Sequence, residues 1–280
     1  MKQGIIELGA FAKTFERPTL ESVLDAVKNY GFSTMQFNFD CAGLASMPDD
    51  IPVGLPEGIR QACLERELSI AALSGTYNMI HPEVQQRLIG LERLGVLASI
   101  CKTMGTSVIT ICTGSRDTQN MWRHHPENNS AQAWQDLVEH LQKALELAET
   151  FNITLGIEPE INNVVNSAAK AKKLLDELAS KHVGIVLDAA NLYHVGDLPD
   201  TKGILQEAFD LLGDRIIMAH AKDVKINGEI VAAGQGDLDY SLYIKLLKQA
   251  GFSGALIVHG QSEAETTDVM RFLEKHVARN

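Results

Sequence analysis

Short runs of apolar and β-branched residues recur about every thirty residues along the chain, and each is followed by a longer amphipathic stretch. This alternation is typical of βαβ units, in which helices join parallel strands. Several runs are apolar nearly throughout, as expected for strands covered on both faces. The predicted strands are Gly4 to Leu8, Thr34 to Phe39, Ser69 to Leu73, Ser107 to Cys112, Thr154 to Glu158, Gly184 to Asp188, Arg215 to His220 and Ala255 to His259.

Hydroxyl residues mark the beginnings of several helices between these strands. Thr19 and Ser130 each precede apolar residues at helical spacing, as N-cap residues do. Ser262 and Glu265 form an S-x-x-E capping box before the last amphipathic stretch. The sequence therefore predicts that helices begin at these three positions.

The unbroken alternation predicts an α/β fold, a (βα)8 TIM barrel that forms a single domain over residues 1–280. A doubly wound open sheet is the alternative. Its first strand normally leads into a glycine-rich phosphate loop, whereas Leu8 leads into Gly-Ala-Phe-Ala-Lys-Thr-Phe. The chain also lacks a Pro/Gly/Ser-rich linker, so the barrel is preferred.

Composition narrows the class of protein. The formal net charge is −11 and basic runs are absent, so we expect no nucleic-acid partner. The four cysteines lack C-x-x-C spacing, which together with the lack of a signal peptide suggests reduced thiols and a cytoplasmic protein. No apolar run approaches the ~20 residues that span a bilayer, so no membrane segment is expected.

Candidate chemistry clusters at the ends of the last four predicted strands. Glu158, Asp188, His220 and His259 stand there, and a barrel gathers the carboxyl ends of its strands on one rim. One such residue alone could be a helix cap or a hydrogen-bonded histidine. Four such groups in a partly desolvated site would cost free energy if they were left unpaired. One divalent metal ion would compensate them. Mixed carboxylate and imidazole ligands favour Mn²⁺, Co²⁺, Zn²⁺ or Fe²⁺ over Ca²⁺.

At these positions the sequence resembles the sugar phosphate isomerase/epimerase family of xylose isomerase-like barrels, which also includes endonuclease IV and inosose dehydratase. The resemblance covers nearly the whole chain. Its most specific part is an H-x-x-D motif followed by a G-x-G-x-x-D segment. The matching residues are Ile157-Glu158-Pro159, Leu187-Asp188, His220-Ala-Lys222-Asp223 and Gly234-Gln-Gly236-Asp-Leu-Asp239.

The resemblance implies that Glu158, Asp188 and His220 bind the metal. The chain departs from the family at two positions. His259 stands where the family usually has a second Glu, which in the epimerases is also one of two acid/base carboxylates. Asn191 stands where endonuclease IV-like members have a histidine ligand, and this disfavours a role in DNA repair.

Four further residues are predicted to bind substrate. Arg116 could hold a hydroxyl or phosphate, and Trp122 could stack on a sugar ring. Both lie in the long loop Thr113 to Ser130, a candidate lid. His81 is either a pocket residue or a loop cap, and Lys222 either approaches the substrate or faces solvent.

These features predict a metal-dependent isomerase or epimerase that acts on a small ketose or keto-polyol through α-proton abstraction and an enediolate. Glu158 would remove the proton, and His259 or a water would return it. Two alternatives remain: a dehydratase of the inosose or dehydroshikimate type, and a catalytically silent carbohydrate-binding barrel. The expected partner is a small carbohydrate-like molecule, and whether the chain forms a homo-oligomer is left open.

Overall fold

A closed barrel of eight parallel strands forms the centre of the computed structural model, which describes residues 5–193 and 201–279. Neighbouring barrel strands follow the order of the chain, and the last pairs with the first. The predicted (βα)8 barrel is confirmed, and the open doubly wound sheet is excluded. The barrel strands are β1 (Ile6–Phe11), β2 (Thr34–Phe37), β3 (Ser69–Ser74), β4 (Val108–Cys112), β5 (Thr154–Glu158), β6 (Val183–Asp188), β7 (Ile216–Ala221) and β10 (Gly254–Val258).

A small antiparallel ribbon of two strands follows β7 on the chain. It consists of β8 (Asp223–Val224) and β9 (Ile230–Val231). The sequence pattern did not predict this ribbon, because each strand has only two residues.

The first predicted strand differs most from the structure. Gly4 lies outside the described residues, and β1 continues past Leu8 to Phe11. The strand continues through Gly9 because the neighbouring strands pack closely on it: a Cβ there would lie 2.6 Å from Cδ1 of Ile257. Gly9 is therefore a close-packing residue within a strand and not the start of a turn.

Helices alternate with the strands around the barrel. Thr19 and Ser130 cap α1 and α4, as predicted, by accepting backbone N–H groups of Ser22 and Ala133. The predicted capping box at Ser262 is also present and leads through one 3-10 turn into α8. The helices are α1 (Leu20–Asn29), α2 (Leu55–Leu64), α3 (Val84–Met104), α4 (Ala131–Phe151), α5 (Ala168–Leu178), α6 (Thr201–Leu212), α7 (Tyr240–Gln249) and α8 (Thr266–Arg279).

The barrel interior changes from apolar to polar along its axis. One cluster of small and apolar side chains fills part of it, while a larger core lies between the strands and the helices. Toward the carboxyl ends of the strands the interior side chains are polar, and these line a cavity. The apolar cluster consists of Ala72, Val186, Met218, Ala255 and Ile257. No described helix is long and apolar enough to cross a bilayer.

Candidate metal centre

The four predicted strand-end residues meet at one point of the barrel rim. Glu158 and Asp188 end β5 and β6, His220 lies near the end of β7, and His259 follows β10 directly. One ligand atom from each residue lies within 4.8 Å of the others. The first three side chains are buried. Barrel closure therefore produces the convergence that the sequence predicted, and metal binding itself stays a prediction.

His220 is held between Glu158 and Gln36. Its Nδ1 lies 3.1 Å from Oε1 of Glu158, and its Nε2 lies 2.9 Å from Oε1 of Gln36. The amide nitrogen of Gln36 donates to Oγ of Ser74 and Oγ1 of Thr110, at 3.0 and 3.1 Å. The Gln36 oxygen is therefore left to accept from Nε2, and Nδ1 faces the acidic residues.

Charge compensation keeps the buried carboxylate of Glu158 ionised. Burial alone would raise the pKa of Glu158, but the positive charges of His220 and Lys222 lower it to about 2. Burial likewise works against a charged His220, yet the charge and hydrogen bond of Glu158 raise its pKa. With no ion bound, the two groups therefore form an imidazolium–carboxylate pair.

Lys222 brings a second positive charge to the same point. Its Nζ lies 2.9 Å from both Oδ2 of Asp188 and Oδ1 of Asn191. The Asn191 amide donates in turn to Oε1 of Glu158 at 3.1 Å. Oδ1 of Asp188 accepts the backbone N–H of Ala190, whereas Oδ2 accepts no well-aligned hydrogen bond from any described residue. The contact of Oδ2 with Lys222 is thus an ion pair that leaves a lone pair of this oxygen available.

His259 is the least engaged of the four residues. Its ring packs edge-on against His220 and Phe11, with centroid distances of 5.0 and 5.7 Å. Within the described part of the chain no residue hydrogen-bonds to its ring nitrogens. Burial, together with the positive charges of His220 and Lys222, lowers its pKa to about 4. His259 is therefore a neutral imidazole with a free lone pair.

This donor set fits a divalent cation of borderline hardness. Two carboxylates and two imidazoles form such a ligand set, and the available atoms include Oδ2 of Asp188 and a ring nitrogen of His259. The neighbouring ammonium of Lys222 would compete with the ion for Asp188. Glu158, Asp188, His220 and His259 are the residues that would hold it.

A cavity of about 480 Å³ opens above these residues. Glu160 lines it beside Glu158, and burial together with the Glu158 charge raises the pKa of Glu160 well above its usual range. Burial also raises the pKa of the Cys112 thiol, so it is uncharged. Other lining residues carry hydroxyl, amide, amine or aromatic groups: Ser46, Ser74, Thr76, Thr110, Gln36, Asn38, Lys13, Phe11 and Trp122.

The predicted substrate-binding residues divide into two pairs. Trp122 and Lys222 line the cavity, the latter with its charge directed at Asp188 rather than at solvent. Arg116 and His81 do not line it. Arg116 is buried and pairs with Asp136 of α4, while Nδ1 of His81 accepts a backbone N–H two residues further on. The structure therefore gives Arg116 a role in anchoring its loop and His81 the role of a loop cap.

Three polar residues of the site were not predicted from the sequence. Gln36 lies between Met35 and Phe37 in the fully buried strand β2, and a buried amide in a strand is a signal that a polar barrel interior could have explained. Glu160 was considered but left without a role, because it lies beyond the strand end. Asn191 was noted only as a departure from the family, although it connects Glu158 to Lys222.

The H-x-x-D and G-x-G-x-x-D motifs hold the backbone of the segment after β7 through Asp223 and Gly236. The carboxylate of Asp223 accepts backbone N–H groups of Val224, Gly234 and Leu238 at 2.8 to 3.1 Å. Gly236 packs on the same carboxylate, and a Cβ there would lie 2.3 Å from Oδ1. Asp223 therefore holds the backbone of this segment in place beside the site.

Solved structures share this fold over nearly the whole chain. The 3-keto-D-glucoside 4-epimerase YcjR from E. coli, in its apo form, is 18% identical with a TM-score of 0.73, covering 98% of this chain and 100% of that one. A D-tagatose 3-epimerase-like protein is 14% identical with a TM-score of 0.77, covering 97% of each chain. The IolI protein with a bound zinc atom is 15% identical with a TM-score of 0.76, covering 98% of each.

At these identities the likeness establishes the fold alone. No curated protein sequence matches the chain significantly. The sequence profile described as xylose isomerase-like TIM barrel, however, matches residues 24–276, which include every residue of the candidate metal centre. The chain therefore belongs to the xylose isomerase-like TIM barrel family.

Proposed function

We propose that this protein is a metal-dependent sugar isomerase or epimerase that removes and returns a proton next to the carbonyl of a keto sugar. The observation that carries the proposal is the meeting of Glu158, Asp188, His220 and His259 within 4.8 Å beside a polar cavity. A divalent ion held there would polarise the carbonyl group and the hydroxyl on the next carbon. It would thereby acidify the C–H bond of the carbon that carries this hydroxyl.

Glu158 is the proposed base. It is ionised, and its Oε1 is fixed by His220 and Asn191. Its Oε2 has no hydrogen-bond partner among the described residues, so this oxygen is available to accept a proton from carbon. Hydrogen bonds to one carboxylate oxygen orient the other, which lowers the cost of positioning the base.

His259 is the proposed partner that returns the proton. The family usually has a carboxylate at this position, and an imidazole can take its place: the proton that Glu158 removes is lost to solvent, and His259 takes up a solvent proton and delivers it to the enediolate carbon. The ring lines the cavity and its nitrogens are not engaged by described residues. Return of the proton to the opposite face gives an epimer, and return to the neighbouring carbon gives an isomer.

The charges around the cavity favour a substrate without a phosphate group. The cationic residues that line it each already pair with an acidic residue: Lys13 with Asp40, Lys222 with Asp188 and His220 with Glu158. Hydroxyl and amide groups provide hydrogen bonds to a neutral polyol instead. Two proteins of similar structure, an L-ribulose 3-epimerase and the 3-keto-D-glucoside 4-epimerase, are also named for sugar substrates.

Solvent exchange tests the proposal. Protein loaded with Mn²⁺, Co²⁺ or Zn²⁺ is incubated in D₂O with a panel of ketoses, keto-polyols and keto-glycosides, and NMR follows deuterium at the carbon next to the carbonyl. We expect about one ion per chain and metal-dependent incorporation. Glu158→Gln should abolish incorporation, while Glu146→Gln, an exposed change on α4, should not.

The same reactions separate the alternatives. Loss of water from a substrate would assign a dehydratase in place of an isomerase or epimerase. Failure to bind any of the three ions, with no exchange on any compound, would contradict the proposed function and favour a catalytically silent carbohydrate-binding barrel.

A further inference from the structure

A second chamber of about 450 Å³ lies beside the central cavity. The two spaces share Trp122, Glu160 and Lys222, so these three side chains stand at their junction. The remaining walls come from the segments after β5 and β6 and from the β8–β9 ribbon. These lining residues are Ile161, Asn162, Asn163, Asn191, Tyr193, Val224, Gly228 and Ile230.

The outer part of this chamber presents apolar surface to solvent. Trp122 is 46% exposed and Ile230 is 43% exposed. Both line the chamber. Exposed apolar groups on the wall of a concave site are typical of ligand contacts, and an indole face stacks well on the C–H face of a sugar.

The exposed indole sits on a fixed backbone. The backbone N–H of Trp122 donates to Oδ1 of Asn120 at 2.9 Å, and the backbone carbonyl of Trp122 accepts a hydrogen bond from the side-chain amide of Asn162 at 3.0 Å. Asn163 donates to the carbonyl of Met121 at 3.1 Å. The hydrogen bonds from the segment after β5 thus preorganise the Trp122 loop at the junction, which lowers the entropy cost of binding a ligand there.

Polar groups at the junction complement this apolar wall. Glu160 and Lys222 line both spaces, and the Lys222 ammonium, bonded to Asp188 and Asn191, has a third N–H to donate. A ligand that spans the two spaces would meet Glu160, Lys222 and the Trp122 indole at its middle and Ile230 at its far end. A glycoside has this distribution, because its linking oxygen and adjacent hydroxyls lie between two larger units.

We propose that the substrate is a glycoside, whose reacting sugar occupies the central cavity and whose second unit occupies the chamber between Trp122 and Ile230. Each space falls within the ~300–1,000 Å³ of a complete small-molecule site, so the reacting sugar alone leaves the second one unfilled. The inference deepens the proposed function and rests on it for the identity of the reacting sugar.

Tryptophan fluorescence tests the chamber without any turnover. The chain has two tryptophans, and Trp134 lies on α4, where its Nε1 donates to Glu177 at 2.7 Å. A Trp134→Phe protein therefore reports on Trp122 alone. It is titrated without metal using methyl β-glucoside, phenyl β-glucoside and cellobiose, none of which has the ketone required for reaction. We expect a saturable change with cellobiose or phenyl β-glucoside, with a Kd at least about 10-fold lower than for methyl β-glucoside.

A matched pair of variants locates the second unit. Ile230 lines the chamber, whereas Ile226, in the turn of the same ribbon, is 68% exposed and lines neither space. In the Trp134→Phe background, Ile230→Ser should raise the Kd of the larger glycoside about 5-fold or more and leave that of methyl β-glucoside unchanged. Ile226→Ser should change neither.

The Kd values are compared only between variants that have the same Tm, so that a difference in folding cannot account for a difference in binding. An absent fluorescence response, equal affinity for all three probes, or equal effects of the two isoleucine changes would each overturn the glycoside proposal. Because this assay needs neither metal nor ketone, its failure is independent of deuterium exchange. Selectivity for cellobiose would identify the second unit as a sugar ring, and selectivity for the phenyl compound would identify it as an aglycone; either supports the proposal.

Discussion

Nε2 of His220 donates a hydrogen bond to Oε1 of Gln36 over 2.9 Å, between residues 184 positions apart in the chain. This contact leaves Nδ1 of His220 as the nitrogen that faces Glu158 and Asp188. A ligand histidine is commonly oriented by such an acceptor on its other nitrogen. Gln36 is therefore a positioning residue of the proposed metal centre.

Replacement of Gln36 should weaken metal binding. Gln36→Leu removes the acceptor for Nε2, and we expect a 10- to 100-fold lower metal affinity in competition titrations with a chelator. Gln36→Glu keeps an acceptor and should bind metal more tightly than the leucine variant. Gln61→Leu, on the exposed side of α2, is the matched control and should bind like the wild type. Wild-type affinity in Gln36→Leu would remove Gln36 from the site.

Changes at His259 should separate metal binding from proton transfer. His259→Ala should lower metal affinity by roughly 10-fold or more, and His259→Glu, which restores the usual family residue, should preserve it. If the imidazole also returns the proton, His259→Gln should lower turnover by about 10² to 10⁴ while metal occupancy falls less. Metal content and exchange rate are measured on the same samples. An alanine variant that equals the wild type in both would make His259 a packing residue only.

Loss of Lys222 should destabilise the metal-free protein more than the metal-loaded protein. Lys222→Met leaves Asp188 without its ion-pair partner in a buried site, which costs about 3–5 kcal/mol for a broken buried pair. A bound divalent ion would compensate Asp188, so added Mn²⁺ or Zn²⁺ should raise the Tm of the variant more than that of the wild type.

The matched control for Lys222 lies in the β8–β9 ribbon. Lys225 forms an exposed ion pair with Glu229, so Lys225→Met should change the Tm little in either condition. Equal Tm losses for Lys222→Met with and without metal would show that Lys222 does not compensate the same charge as the ion.

His140 should make the stability of the fold depend on pH away from the proposed site. Its Nε2 lies 2.8 Å from the hydroxyl of Tyr77, and burial, followed by Arg87 and Lys143, lowers its pKa to about 4. The unfolded chain has a histidine pKa near 6.5 and binds the proton first as pH falls. The contribution of neutral His140 is therefore complete above about pH 6.5 and is lost between about pH 6.5 and 4, by about 3 kcal/mol.

Denaturant unfolding at several pH values measures this contribution. The difference in free energy of unfolding between the wild type and His140→Gln should shift against the wild type as pH falls through this range. His124→Gln removes an exposed histidine and serves as the control. A difference that stays constant with pH would show that His140 takes up its proton equally in both states.

Two glycine substitutions should have opposite signs. Gly236→Ala would place a Cβ 2.3 Å from Asp223 Oδ1 and 2.7 Å from the Val224 carbonyl, so we expect a loss of about 1–3 kcal/mol. Gly58 lies in α2 with no heavy atom within 4 Å of its virtual Cβ, and Gly58→Ala should stabilise by up to about 1 kcal/mol. Thermal and denaturant unfolding measure both, and a neutral Gly236→Ala would contradict the role given to Asp223.

Apolar periodicity along the chain was enough to predict the order of strands and helices, because this periodicity is a local property of the sequence. The sequence also identified Glu158, Asp188, His220 and His259 as neighbours, since a barrel brings the ends of consecutive parallel strands to one rim. The observed limits of elements differ from the predicted ones where packing decides them. One example is Gly9, which continues β1 because its neighbours leave no room for a side chain.

The tertiary structure alone decided how those residues are connected. Gln36 reaches His220 across the barrel interior, and Arg116, predicted to bind substrate, pairs with Asp136 of α4 and does not line the cavity. Lys222 likewise points at Asp188 rather than at solvent, because the fold brings the two charged groups together. Such contacts depend on strand register, side-chain rotamers and the path of long loops. Residues far apart in the chain determine these together, so no local pattern encodes them.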